Sequence, residues 1–309
     1  MRKPELLAPS GNFKTLTAAI EAGADAVYLG AEKFSARAFA GNFGEAELEN
    51  AVKLAAGKGV KTYLAINTLL TDRELNEALE IVANAVDVGV SSFITQDLGL
   101  ARLIRQSFPS ANLHASTQMT AQSLADVETL GKLGFKRVVL ARELSRKQIR
   151  EIAANTDVEL EVFVHGALCS AYSGQCLMSS FIGGRSANRG KCAQPCRLPY
   201  KTTKKSGILL SLKDLCLIDY VEELAEMGIT SLKIEGRMKG EEYVTAVVSA
   251  YRAVLDGKPL SEQQKQKMLN AFNRGGYTDG YYHGGRADMY MKTLKNPYSA
   301  SDRRRKDAR

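Results

Sequence analysis

The stretch ELLAPSGNFKTLTAAIEAGADAVYLG (5–30) contains one full unit of the pattern that decides the fold. Two short apolar runs, ELLAP (5–9) and AVYLG (26–30), bracket a helical segment that stops at Gly23. Comparable runs follow at KTYLAIN (61–67), SFITQD (92–97), LHASTQ (113–118), RVVLARE (137–143) and LEVFVHG (160–166). They are rich in Val, Leu, Ile, Tyr and Phe and bounded by turn residues, as strands are. Several are apolar almost throughout, which suits strands covered on both faces in a parallel sheet. Helical periodicity fills the gaps. In 47–59, Leu48, Ala51, Val52 and Ala55 share a stripe, and in 73–89 Leu75, Leu79, Val82 and Val86 do the same. Gly23, Gly59, Gly89, Gly134 and Gly228 mark helix ends, where a left-handed residue stops the helix. Thr71 with Glu74 reads as a capping box. An eighth strand, SLKIEG (231–236), follows a helix read over LCLIDYVEELAEMG (215–228).

Eight β/α units in this length predict an α/β fold of the (β/α)₈, TIM-like barrel type. A doubly wound open sheet is the alternative, because strand order is not written in one sequence. No GxGxxG turn follows the first strand, which weighs against dinucleotide binding. The rhythm breaks for 40 residues between Gly166 and GILLSL (207–212). The expected organisation is a barrel domain over 1–256, with a cysteine-rich loop (167–206) after strand seven. A short C-terminal extension (257–309) follows, with a helix at 261–272, a Gly/Tyr-rich segment and a basic tail.

The chain is 309 residues long, 45% hydrophobic and 25% charged, which excludes disorder as its main state. No apolar run is long enough to span a bilayer, so no membrane association is expected. The start, MRKPELLAPSGN, has no signal-peptide h-region, and the expectation is a cytoplasmic protein in a reducing compartment. There, five clustered cysteines are metal ligands or redox groups rather than disulfides.

Four of them, Cys169, Cys176, Cys192 and Cys196, form C-x6-C-x15-C-x3-C within the loop. Four thiolates suit tetrahedral zinc or an iron–sulfur cluster, and neither pair has the C-x2-C spacing of a zinc ribbon. Cys216, at the start of the expected apolar helix, reads as a buried core residue. Barrel enzymes carry their sites at the C-terminal strand ends. Polar residues collect at these positions here: Asn67, Gln96, Asp97, Ser116, Gln118, Arg142, Glu143, His165, Glu235 and Arg237. His165 is a candidate acid, base or substrate donor. Glu235 and Arg237 are candidates for an anionic or hydroxylated ligand. His114 and His283 carry no assigned role.

Lys and Arg number 42 against 34 Asp and Glu, a net charge of +8, and the excess is localised. Arg185, Arg189, Lys191, Arg197, Lys201, Lys204 and Lys205 form a segment with no acidic residue. The tail from 295 to 309 adds six basic against two acidic residues. These segments are candidate phosphate contacts, or neutralise an anionic thiolate cluster.

The sequence EVFVHGALCSAYSGQCLMSS (161–180) resembles the signature of peptidase family U32, the collagenase-like proteases. The resemblance continues through NRGKCAQPCR (188–197), LSLKDLCLIDYVEEL (210–224), LKIEGRMKGEEYV (232–244) and the opening LLAPSGNFKTLTAAIEAGADAVYLG (6–30). It implies a barrel-like domain and, in better-understood members, an oxygen-sensitive [4Fe–4S] cluster serving oxygen-independent hydroxylation. Some members convert a tRNA wobble uridine or a 23S rRNA cytidine to the 5-hydroxy base, with prephenate implied as hydroxyl donor. Others work as a pair on ubiquinone precursors. On this resemblance Cys169, Cys176, Cys192 and Cys196 are the cluster ligands, with Cys216 in reserve, and the RNA branch is favoured. Asn67, Gln118, His165, Glu235 and Arg237 are then the catalytic candidates. Arg185, Arg189, Lys191, Arg197 and Lys201 are the RNA contacts, and tRNA or rRNA is the partner. A collagenase-like peptidase is one alternative, although HExxH and GxSxG are absent. A non-catalytic accessory subunit, working with a second U32-family subunit, is the other.

Overall fold

The computed structural model describes residues 3–37, 40–283, 285 and 288–291. Eight parallel strands close into a barrel: β1 (Glu5–Pro9), β2 (Ala26–Gly30), β3 (Lys61–Ile66), β4 (Ser92–Thr95), β5 (Leu113–Ala115), β6 (Arg137–Val139), β7 (Glu159–Gly166) and β8 (Ser231–Ile234). Each pairs with the next, and β8 pairs with both β7 and β1, so the sheet has no open edge there. This excludes the open doubly wound sheet. Helices α1 (Phe13–Glu21), α2 (Glu45–Ala56), α3 (Asp72–Asp87), α4 (Leu98–Ser107), α5 (Leu124–Lys132) and α6 (Arg146–Ala153) cover the outside. The five terminating glycines all take positive φ.

Alternation along the strands divides the interior. Leu6, Val27, Leu29, Leu64 and Val162 face the helices and form the main core. Leu7, Ala26, Tyr28, Tyr63, Ala65 and Ile94 form a separate cluster inside the barrel. The lumen is also charged. Arg137 donates to Glu5 at 2.7 Å, Glu159 at 2.9 Å and Glu161 at 3.3 Å, and Lys233 donates to Glu161 at 2.8 Å. Glu161 is fully buried, and both of these cations pair with it.

Ser206–Gly207 pairs with Tyr200–Lys201 in a small hairpin. One element differs from the sequence expectation. The helix expected over 215–228 is divided. Asp214–Cys216 is extended and pairs antiparallel with the end of β7, Ile218–Tyr220 makes one 3₁₀ turn, and only α8 (Val221–Glu226) is α-helical. Cys216 is thus a strand residue. The cause is that the end of β7 captures this backbone: the Leu217 N–H donates to the Val164 carbonyl at 2.9 Å.

The cysteine loop contains α7 (Met178–Gly183), and α9 (Glu241–Leu255) follows β8. α10 (Glu262–Asn270) packs on α9, and Met268, Tyr282 and Met289 join the main core. The basic tail of 295–309 lies outside the described residues. Among the described residues no helix is long and apolar enough to cross a membrane.

Candidate active site at the cysteine-lined rim

The C-terminal end of the barrel opens into a cavity of about 1160 Å³. Its floor is the upper lumen, with Tyr28, Ala65, Ile94, Phe163 and Lys233. Its wall is the cysteine loop, folded back over the strand ends. The loop is fastened at several points. Asn188 Nδ2 donates to Gln96 at 3.2 Å, and its Oδ1 accepts from the Leu69 N–H at 3.2 Å. Ser173 Oγ donates to Glu143 at 2.9 Å, and its carbonyl accepts from Thr120 at 2.6 Å. At Gly174, φ is +77° and a Cβ would lie 2.3 Å from the Gln118 carbonyl, so only glycine lets the loop sit this close.

Glu235, just past β8, is the acidic residue of the wall. Its carboxylate accepts from Arg37 at 2.9 Å and from Arg142 at 2.6 Å. Burial alone would raise its pKa. The charges of Arg37 and Arg142 and the Arg142 hydrogen bond outweigh that, and hold it far below the usual carboxylate range. Arg142 also donates to the Ala167 carbonyl at 2.6 Å, and its guanidinium stacks 3.8 Å from the centre of the Phe163 ring. Arg237 is buried, with Nη1 lacking a hydrogen-bond partner. Burial, with Arg37 nearby, pushes its pKa down to about 10. A Cβ at Gly30 would lie 2.0 Å from that Nη1, so Gly30 makes the room for the guanidinium. Asn67 Oδ1 accepts from the Ala36 N–H at 3.0 Å and its Nδ2 donates to Ser116 at 3.3 Å. Gln118 Nε2 donates to the Asn67 carbonyl. Asn67, Gln118, Glu235 and Arg237 therefore all line one space.

His165 does not. β7 carries an extra residue, since Lys233 lies opposite Phe163 while Ile234 lies opposite His165. Glu161 and Phe163 face the lumen, and simple alternation would send His165 there too. The irregularity at Val164 turns it outward instead. Its ring packs against Tyr251, Tyr243 and Tyr277, with centroids 5.6, 6.0 and 5.0 Å away. Burial pushes its pKa down to about 3, so it is a neutral core residue. None of the three histidines lines the cavity.

Cys169, Cys176, Cys192 and Cys196 all line the cavity wall. As their side chains stand, no three His, Cys, Asp or Glu groups among the described residues are close enough to hold a metal ion. The donor set is nonetheless of the right kind for a thiolate-held group. Burial pushes the Cys192 thiol up, and the other three sulfurs push the same way, which places all four within electrostatic reach. The Gln194 N–H donates to Cys192 Sγ at 3.3 Å. Cys216 is apart, with Sγ 4.0 Å from the Tyr251 hydroxyl.

The expected basic contacts divide. Arg197 is buried and donates to Ser211 Oγ at 2.6 Å and to the carbonyls of Leu212 and Leu168, both at 2.5 Å. Arg189 donates to the Leu69 carbonyl at 2.6 Å and to Glu74 at 2.9 Å. These two fasten the loop. Arg185, Lys191 and Lys201 are exposed.

Sequence reasoning did not single out Arg37, Lys233 or Lys239, which also line the cavity. Lys239 Nζ lies 3.2 Å from the centre of the Phe272 ring. Burial, with Arg274 nearby, pushes its pKa down to about 7. Its place in KIEGRMKG, four residues after Glu235, was the available signal.

A family model for peptidase family U32 matches residues 11–292. The chain belongs to peptidase family U32. This U32 chain is 38% identical over 268 residues to tRNA hydroxylation protein P1 of Bacillus subtilis, covering 82% of this chain and 64% of that one. It is 37% identical over 310 residues to the 23S rRNA 5-hydroxycytidine C2501 synthase of Escherichia coli, covering 96% of this chain and 47% of that one. The U32 chain thus spans about half to two-thirds of the length of these relatives. The solved structure of the U32 peptidase Mk0906 has the same fold, with a TM-score of 0.51 and 16% identity, over 76% of this chain and 94% of that one.

Proposed function

We propose that this protein is an enzyme that hydroxylates a pyrimidine base in RNA at C5, without molecular oxygen. A tRNA wobble uridine or a 23S rRNA cytidine is the target class. The observation that carries the reading is a single cavity lined by four cysteines, several arginines and one ionised carboxylate. The names of the relatives support it.

In this reading Cys169, Cys176, Cys192 and Cys196 hold a [4Fe–4S] cluster. When bound, the cluster supplies redox or Lewis-acid chemistry at the cavity wall. The remaining roles belong to the chain. Replacing C5–H by C5–OH oxidises the base by two electrons, so the oxygen and the oxidising equivalents come from a co-substrate. Prephenate is the donor that the family resemblance implies, and the unpartnered Arg237 Nη1 offers its carboxylates a charge-assisted hydrogen bond. Glu235 stays ionised and accepts hydrogen bonds; it does not donate a proton. Lys239 gives the cavity a group that exchanges a proton near neutral pH. Asn67 and Gln118 orient the base, which must leave any duplex to reach this depth.

A cysteine peptidase needs a histidine beside its nucleophile, and His165 lies outside the cavity. The test is nucleoside mass spectrometry of tRNA and rRNA from cells lacking the chain. A 5-hydroxypyrimidine should disappear. If all hydroxylated nucleosides persist, the reading fails.

A further inference from the structure

Resting on the RNA reading, we propose that the exposed apolar face of α7 is a stacking platform for unpaired nucleotides beside the one that enters the cavity. Phe181 is 85% exposed, Ile182 64% and Leu177 60%. Leu177 and Phe181 stand one helical turn apart, the Phe181 N–H donating to the Leu177 carbonyl at 3.1 Å, so they share a face. Tyr172, in the turn before Cys176, is a second exposed aromatic.

The face is held in place. The Ala193 N–H donates to Ser179 Oγ at 2.9 Å, and the Arg185 N–H donates to the Ser179 carbonyl at 3.2 Å. Leu177 lies between Cys176 and Met178, both of which line the cavity, so the patch forms its lip.

Charge selects the occupant. From Val162 to Lys213 the sequence contains no Asp or Glu. Arg185, Lys191, Lys201, Lys204 and Lys205, all from the same loop, are exposed. Exposed aromatics on a loop segment that carries exposed cations and no acidic residue match single-stranded RNA: bases stack on the rings and phosphates meet the cations. A second copy docked face to face would bring like charges together.

The test is the affinity of the full chain for a labelled RNA hairpin with a single-stranded loop, against a fully paired RNA duplex of equal length. The Phe181→Ala variant should weaken hairpin binding by about fivefold or more, with duplex binding and the salt dependence unchanged. Phe181→Trp should restore it. Lys201→Ala and Lys204→Ala should instead weaken both RNAs and flatten the salt dependence. Equal hairpin binding by Phe181→Ala and the unmodified chain overturns the platform. So does a Phe181→Ala change seen only in self-association or in binding to phosphatidylserine vesicles. If hydroxylation of RNA persists while Phe181→Ala binds normally, the platform alone fails. If neither RNA binds and no RNA is hydroxylated, the RNA reading fails with it.

Discussion

Arg142 Nη2 donates to the Glu235 carboxylate at 2.6 Å and links the end of β6 to the end of β8 across the mouth of the barrel. The same guanidinium holds the first residue of the cysteine loop through the Ala167 carbonyl. Glu235 and the cysteine loop are thereby held by one side chain. Glu235→Gln keeps the shape and removes the charge that Arg37 and Arg142 oppose. A charged hydrogen bond is worth about 1.5–3 kcal/mol, so hydroxylation should fall at least about tenfold while the chain stays folded. Unchanged turnover in this variant removes Glu235 from the site.

The two classes of cysteine should separate by iron content. Chain purified without oxygen should be coloured and contain iron and sulfide. Cys192→Ala should lose most of that iron. Cys216→Ala should keep it, because Cys216 is packed behind β7 beside Tyr251. A colourless, zinc-loaded protein contradicts the cluster.

Acid should destabilise the fold earlier than carboxylates alone dictate. His165 is pushed down to about 3 from its ordinary 6.5, and buried His114 well below 6.5. Between these values the unfolded chain binds protons that the folded chain refuses, so stability falls as pH drops through that window. Each group adds up to about 1.4 kcal/mol per pH unit. Glu235, held ionised, acts in the same sense below its ordinary 4.5. Urea midpoints should decline steadily below about pH 6.5, and less steeply in His165→Phe. A flat profile contradicts the buried neutral histidines.

Arg197 and Lys201 should behave as opposites, although both belong to the basic segment. Arg197→Ala leaves the Leu168 and Leu212 carbonyls without their donor and should cost about 3 kcal/mol of stability. Lys201→Ala should be thermally silent and weaken RNA binding. Chemical denaturation and an RNA affinity series check both; equal stability of the two variants contradicts the assignment.

The barrel was legible because short apolar runs alternate with period-3.6 stripes from Glu5 to Gly166, and the last run returns at Ser231–Ile234. The cysteine wall was legible for a different reason: four thiols in an irregular loop after a strand end have few other uses. The failures are tertiary. A single extra residue in β7 reverses where His165 points, and no local pattern announces it. Arg197 looked like a surface cation because burial of its guanidinium depends on carbonyls far off in the chain. Cys216 looked helical because the apolar run around it suits either state, and pairing with β7 decided. Lys239 was hidden because its altered proton affinity comes from burial beside Arg274, which only the fold creates.

The central claim is that this cavity hydroxylates RNA. Its most direct measurement is the 5-hydroxyuridine and 5-hydroxycytidine content of tRNA and rRNA from cells lacking the chain, then resupplied with it or with Cys192→Ala. One of these nucleosides should disappear, return with the unmodified chain and stay absent with Cys192→Ala. Undiminished content of both nucleosides in the deficient cells would contradict it.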